Sequence, residues 1–252
     1  MRTLRLTLTY DGTDFFGWQY QGPKVRTVQA TLEAAVAEVT GVWTRMQGSS
    51  RTDAGVHALG QVVSFQTQTR LENDLFRKAL NAVLPRDVSV LEVRDAPDDF
   101  NATRHAVRKR YRYLIQDGRI RDPIGARYAW FVSHVLDVAA MQAAAPQLIG
   151  EHDFKAYQTA GSIRETTVRT VYDLQVERRP TDHGERIVIE VEANGFLYNM
   201  VRNIAGSLMP IGRGKEPIHW LTDILRSRDR RRAGMTAPAQ GLFLMWVKYE
   251  GE

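Results

Sequence analysis

Residues 48–58 read Gly-Ser-Ser-Arg-Thr-Asp-Ala-Gly-Val-His-Ala and bring Arg51, Asp53 and His57 within a span of seven residues. An aspartate is ionised at neutral pH unaided, since its reference pKa is about 3.9. Asp53 could therefore act as a nucleophile or a base, and a cation two residues away would keep it charged in a cleft. The same residues also suit a plain turn, with Asp53 leading into Gly55 and Arg51 as its surface partner.

A second group lies in residues 195–206. Leu197, Val201, Ile204 and Leu208 fall on one helical stripe, and Arg202 sits beside it, either reaching outward or placed to pair with a buried carboxylate. Tyr111 stands among arginines in an alternating segment, where it is either core or a ring on which a flipped base could stack.

Other chemistries find little support. The chain has no cysteine, which excludes disulfides, thiolate nucleophiles and Cys-based metal centres. The six histidines show no paired ligand spacing, and His152-Asp153 alone is an ordinary polar turn. Gly214-Lys215 is preceded by Met209 where a phosphate-binding loop needs glycine, and Glu216 stands where it needs Ser or Thr. No cofactor and no metal are expected.

The elements that must position these residues follow from periodicity. Leu4, Leu6, Leu8 and Tyr10 alternate with polar residues as a strand, and Thr27 can cap a helix over residues 28–40 that stops at Gly41. Residues 42–47 and 61–66 predict strands flanking the Asp53 loop, 73–84 a helix ended by Pro85, and 88–93 a strand. Beyond these come a strand through Tyr111 and Tyr113, a helix after Asp137, strands over 168–177 and 186–193 joined by a loop over 179–184, helices over 197–208 and 218–226, and a closing strand over 242–249. Adjacent strands in each half favour α+β with two similar lobes, the boundary near residue 106 giving segments 1–106 and 107–252.

The 252 residues carry 34 Lys+Arg and 29 Asp+Glu. Charges balance over residues 1–106, so the whole excess of +5 lies in 107–252. It gathers in one run from Arg104 to Arg127, interleaved with Tyr111, Tyr113 and Tyr128, and another from Arg226 to Arg232, which points to a nucleic-acid partner. No apolar run approaches the ~20 residues of a membrane span. The N-terminal residues pass straight into alternating sequence, so a cytoplasmic protein is expected.

Taken in order, Tyr10-Asp11-Gly12-Thr13-Asp14-Phe15-Phe16-Gly17-Trp18-Gln19, Arg51-Thr52-Asp53-Ala54-Gly55-Val56-His57-Ala58, Lys109-Arg110-Tyr111-Arg112-Tyr113, Gly150-Glu151-His152-Asp153-Phe154, residues 196–206 and residues 236–242 resemble the bacterial tRNA pseudouridine synthase A family across nearly the whole chain. The resemblance implies a pseudouridine synthase fold, α+β with two lobes around a mainly antiparallel central sheet. It implies a homodimer that converts uridine to pseudouridine at positions 38, 39 and 40 of the tRNA anticodon stem-loop, without cofactor or metal. It also implies Asp53 as the catalytic aspartate, Arg51 and Tyr111 as substrate-binding residues, and Arg202 as the basic residue that forms an ion pair in the site. Two positions depart from the family pattern: Ser50 replaces glycine and Thr103 replaces arginine. Two rival readings are a non-catalytic RNA-binding or chaperone protein, from the same basic surface, and a metal-dependent RNA hydrolase using His152-Asp153.

Overall fold

A computed structural model of the chain describes residues 1–161, 166–181 and 184–252. The residues fall into two compact units, Met1–Val107 with Phe243–Glu252, and Arg108–Leu242. The closing strand, which its place in the chain assigns to the second half, thus belongs with the first.

In the first unit, β1 (Arg2–Tyr10) buries Leu4, Leu6 and Leu8 completely. Burying each is worth about 1.5–3 kcal/mol. A one-residue slip would exchange them for Arg5, Thr7 and Thr9, so the alternation fixes the register. Helix α1 (Val28–Thr40) starts where the Thr27 hydroxyl accepts the Ala30 N–H at 3.3 Å. Its inner face is Val28, Leu32, Ala35 and Val36. The strand expected over 42–47 shrinks to β2 (Gln47–Gly48), because only Gln47 and Gly48 find partners, Ser64 and Val63, while Val42 and Trp43 face outward. Strand β3 (His57–Thr67) follows the Asp53 loop and starts four residues ahead of the expected position. Helix α2 (Asn73–Val83) ends as Leu84 turns extended ahead of Pro85, and β4 (Val88–Ala96) completes this stretch.

The second unit is formed by β5 (Ala106–Asp117), β6 (Trp130–Val132), α3 (Val138–Ala144), β7 (Gly150–Asp153), β8 (Val168–Thr181), β9 (Gly184–Ala193), α4 (Met200–Gly212) and α5 (Trp220–Ser227). The β8–β9 pairing runs through Thr181 and Gly184, so most of the expected loop is strand; Asp182 and His183 lie outside the described residues. Helix α4 starts three residues late because Asn199 takes a left-handed conformation, φ 59°. Leu197, Val201, Ile204 and Leu208 are buried, as the stripe requires. Strand β10 (Leu242–Tyr249) returns to the first unit.

Strands β4, β1, β3 and β10 lie side by side in the first unit, antiparallel except for β3 and β10, which pair parallel at His57 with Phe243 and at Ala58 with Leu244. In the second, β5, β9, β8 and β7 are antiparallel neighbours, and β6 runs parallel to β5. The fold is α+β with mainly antiparallel strands.

Candidate active site

The Asp53 loop is held chiefly through its backbone. Gln61, fully buried on β3, accepts the Ser49 hydroxyl at 2.7 Å and the Ser50 N–H at 3.2 Å, and donates to the Ser50 carbonyl at 2.7 Å. One side chain thus satisfies backbone groups that would otherwise be buried without partners as the chain leaves β2. Thr52 shares a buried hydrogen bond with the Tyr10 hydroxyl at 2.8 Å, and its carbonyl accepts the Trp18 N–H at 2.9 Å. The turn closes where Val56 N–H donates to the Asp53 carbonyl at 3.1 Å, and Gly55 N–H donates to the Phe15 carbonyl at 3.2 Å. Asp53 is left half-buried at the bend, with Arg51 exposed two residues earlier on the same loop.

The segment after β1 is therefore a cradle for this loop. Phe15 and Trp18 are buried, and Gly17 between them has φ +87°. A Cβ on Gly17 would stand 2.6 Å from the Thr52 carbonyl oxygen and 3.0 Å from the Asp53 carbonyl carbon. Only glycine fits there, for reasons of both conformation and space. His57 is also structural: it is buried, stacks on Phe243 at 4.6 Å and accepts the Gly12 N–H at Nδ1 across 3.0 Å. Asp11 Oδ1 lies 3.1 Å from the same nitrogen, an ion pair when the ring is protonated.

In the second unit Tyr111 is buried on β5 and meets the Phe196 ring edge-on, with centroids 5.0 Å apart. Arg202, half-buried on the first turn of α4, donates from Nε to the Ala237 carbonyl at 2.7 Å and from Nη1 to Asn199 Oδ1 at 2.9 Å. The Ala237 N–H returns to the Arg202 carbonyl at 3.1 Å. Beside it the fully buried Asn203 accepts from Arg230 at 2.8 Å and Thr236 at 2.7 Å, and donates to the Tyr157 carbonyl at 2.7 Å. Residues 229–238 are thereby strapped along α4, so closely that a Cβ on Gly206 would strike the Met235 carbonyl. Gln61 and Asn203 have no individual role in the sequence reading, where the signal was a polar residue at a buried position of a strand or helix; Arg230 is read there only as part of the second basic run and here turns inward.

The arginine runs prove to be of two kinds. Arg108, Arg110 and Arg112 alternate along β5 opposite Glu190 and Glu192 of β9. Arg110 bonds Glu190 at 2.8 Å, Glu192 at 2.7 Å and Asp173 at 2.8 Å; Arg112 bonds Glu190 at 2.6 Å, and Arg108 bonds Glu192 at 3.2 Å. Burial alone would raise these glutamates, but the guanidinium hydrogen bonds more than offset it and hold both carboxyls below the usual range. These three arginines, read from the sequence as part of a basic run facing nucleic acid, are committed to the sheet. Arg119, Arg121 and Arg127 are exposed, as are Arg226, Arg228, Arg231 and Arg232, whereas Arg230 turns inward to Asn203.

Both departures from the family pattern are accommodated. Ser50 is engaged through its backbone, and among the described residues the only non-glycine positions with positive φ are Asn199 and Arg228, so serine meets no strain there. Thr103 donates its hydroxyl to the Gly48 carbonyl at 2.7 Å and so braces the entrance to the Asp53 loop. Among the described residues no cluster of three His, Asp or Glu side chains is placed to hold a metal ion. Asp153 caps a 3-10 turn through the Lys155 N–H and pairs with Arg228 at 3.0 Å.

Comparison with known proteins identifies the family. A family model described as tRNA pseudouridine synthase matches residues 7–103 and 144–250. The chain is 46% identical over 249 residues to the tRNA pseudouridine synthase A of Thermoanaerobacter sp. (strain X514), and 44% identical over 249 residues to that of Caldicellulosiruptor bescii; each alignment covers 99% of this chain and 100% of the relative. A solved Cbf5-Nop10-Gar1 complex aligns over 96% of this chain and 48% of its own, at TM-score 0.39 and 12% identity, too slight a likeness to argue from. The chain belongs to the tRNA pseudouridine synthase family. It is an isomerase, and its reaction turns uridine in tRNA into pseudouridine.

Proposed function

We propose that Asp53 starts this isomerisation at uridines 38, 39 and 40 of the anticodon stem-loop, in a cytoplasmic homodimer. The observation that carries the assignment is the loop itself: a half-buried carboxylate on a bend whose neighbours are fixed by Gly17, Trp18, Tyr10 and Gln61. Such fixation is what a reacting group needs, since a misplacement of about 1 Å can cost on the order of 100-fold in rate. The chemistry requires little else. The C1′–N1 bond breaks, a C1′–C5 bond forms, the C5 hydrogen leaves as a proton, and N1 ends protonated, so atoms and electrons balance without a redox partner.

The target uridine is flipped out of its helix at a cost of a few kcal/mol, which stacking in the site offsets. Tyr111, held against Phe196, supplies that stacking face, and Arg51 holds the flipped nucleotide. Arg202, oriented by Ala237 and Asn199, keeps the aspartate ionised. The exposed arginines of the second unit contact backbone phosphates and make affinity depend on salt.

Tritium release from tRNA labelled at uridine C5 reads the reaction directly. Asp53→Asn is expected to lower release by at least about 10⁴-fold, with the protein still folded by circular dichroism. Release at the wild-type rate would remove Asp53 from its role, and unchanged turnover in Arg202→Met would remove Arg202 from its own.

A further inference from the structure

On the first unit, three residues outside the Asp53 loop form a surface with no part in the chemistry above. The Arg45 guanidinium lies 5.3 Å from the centroid of the Tyr20 ring and 5.1 Å from that of Trp43. All three are open to solvent, Trp43 by 58% and Tyr20 by 38%. A lone exposed aromatic needs no explanation. Here, however, the exposed group is fastened from beneath by two polar side chains that are themselves almost wholly buried.

Gln29 and Glu33, one turn apart on α1, are each 2% exposed. Gln29 Oε1 accepts the Tyr20 N–H at 2.9 Å, and its Nε2 donates to Glu33 at 2.9 Å and to the Met46 carbonyl at 3.2 Å. Glu33 also accepts the Met46 N–H at 3.1 Å and pairs with Arg45 at 3.4 Å. Burying a carboxylate costs several kcal/mol unless its partners are complete. The two loops that carry Tyr20 and Trp43–Arg45 are thus locked to a common buried pair. The result is an exposed group of two rings and one cation carried on backbone anchored from beneath.

We propose that Tyr20, Trp43 and Arg45 form a stacking platform that takes an unpaired nucleobase of the tRNA substrate. The proposal rests on the reaction with tRNA but not on the role of Asp53. Every base has a π face, so aromatic rings bind it regardless of sequence. A guanidinium plane stacks on bases in the same way, and Glu33 behind Arg45 holds that plane in place. Because the backbone beneath them is anchored, little loop freedom is lost on binding.

The test compares wild type, Trp43→Ala, Arg45→Ala and Trp43→Phe by filter binding of unmodified tRNA and by tritium release. Trp43→Ala and Arg45→Ala are expected to raise Kd and KM about tenfold with kcat unchanged, and Trp43→Phe to stay near wild type. Trp43→Ala should leave the slope of log Kd against log salt unchanged, because stacking releases no counterions. Equal Kd and KM in all four proteins would overturn the proposal. So would a loss of thermal stability in Trp43→Ala without any change in Kd, since that is what a merely structural patch would give. If wild type itself releases no tritium, the assignment of the chemistry fails, and the Kd comparison still decides on the platform.

Discussion

Gly17 lies against the Thr52 carbonyl so closely that the space between them would not admit a methyl group. The adjacent Trp18 N–H bonds that same carbonyl at 2.9 Å, so the position of Thr52, and of Asp53 after it, is set by the segment that follows β1. Gly17→Ala forces a side chain into a φ of +87° and pushes on the loop. We expect a loss of about 1–3 kcal/mol in stability and roughly 100-fold in kcat. Urea denaturation and single-turnover tritium release check the two figures, and wild-type kcat in a folded variant would contradict the cradle.

Gln61 offers a subtler perturbation of the same loop. Gln61→Leu keeps the volume but leaves the Ser50 carbonyl and N–H without their buried partner. The cost should be about 1–3 kcal/mol. Hydrogen exchange should rise at residues 49–52 more than in β1, and exchange unchanged at those amides would show that the loop holds itself.

Asn203 joins α4 to two other segments of the second unit, through Arg230 and Thr236 on one side and the Tyr157 carbonyl and Thr159 hydroxyl on the other. Asn203→Ala leaves the inward-turned Arg230 short of an acceptor and should destabilise the protein by about 2–4 kcal/mol. Because Arg202 leans on Ala237 in the same strap, kcat should fall even where the protein remains folded. Thermal denaturation paired with kcat measured well below the midpoint separates the two effects.

The arginine–glutamate ladder makes a pH prediction. Glu190 and Glu192 have folded pKa values below their unfolded ones, so they bind protons less readily in the native state. Their contribution is present above the unfolded value of about 4.3 and is lost as pH falls through the folded one. Glu190→Gln should cost about 1.5–3 kcal/mol at pH 7, and the gap in Tm between variant and wild type should narrow below about pH 4. A gap that stays constant down to pH 3 would mean the ion pairs carry no such stability.

Much of this was legible in local sequence. Thr27 and Gly41 bracket α1 at the bounds observed, and the alternation of Leu4, Leu6 and Leu8 identifies β1, because caps and periodicity act over a few residues. The Asp53 loop announced itself by composition. What stayed hidden depends on partners distant in sequence. The role of Trp18 runs through a backbone hydrogen bond, which leaves no mark on side-chain type, and the demand for glycine at Gly17 comes from a loop more than thirty residues further on. Arg108, Arg110 and Arg112 looked like an electropositive face because the carboxylates that neutralise them lie some eighty residues further on. The register that pairs Arg110 with Glu192 exists only once β5 and β9 meet. The true strand over 42–47 is short for the same reason: β-propensity cannot say whether a neighbouring strand extends far enough to pair.

The parallel pairing of β10 with β3 has a consequence for how the protein is made. Residues 108–242 are all translated before the strand that lies beside His57 exists. Until then His57 lacks the Phe243 ring, and the first two residues of the strand leading out of the Asp53 loop lack their parallel partner. The surroundings of the Asp53 loop are therefore complete only after some 190 further residues have been translated. Folding around the Asp53 loop is in this way tied to a segment translated long after the loop itself.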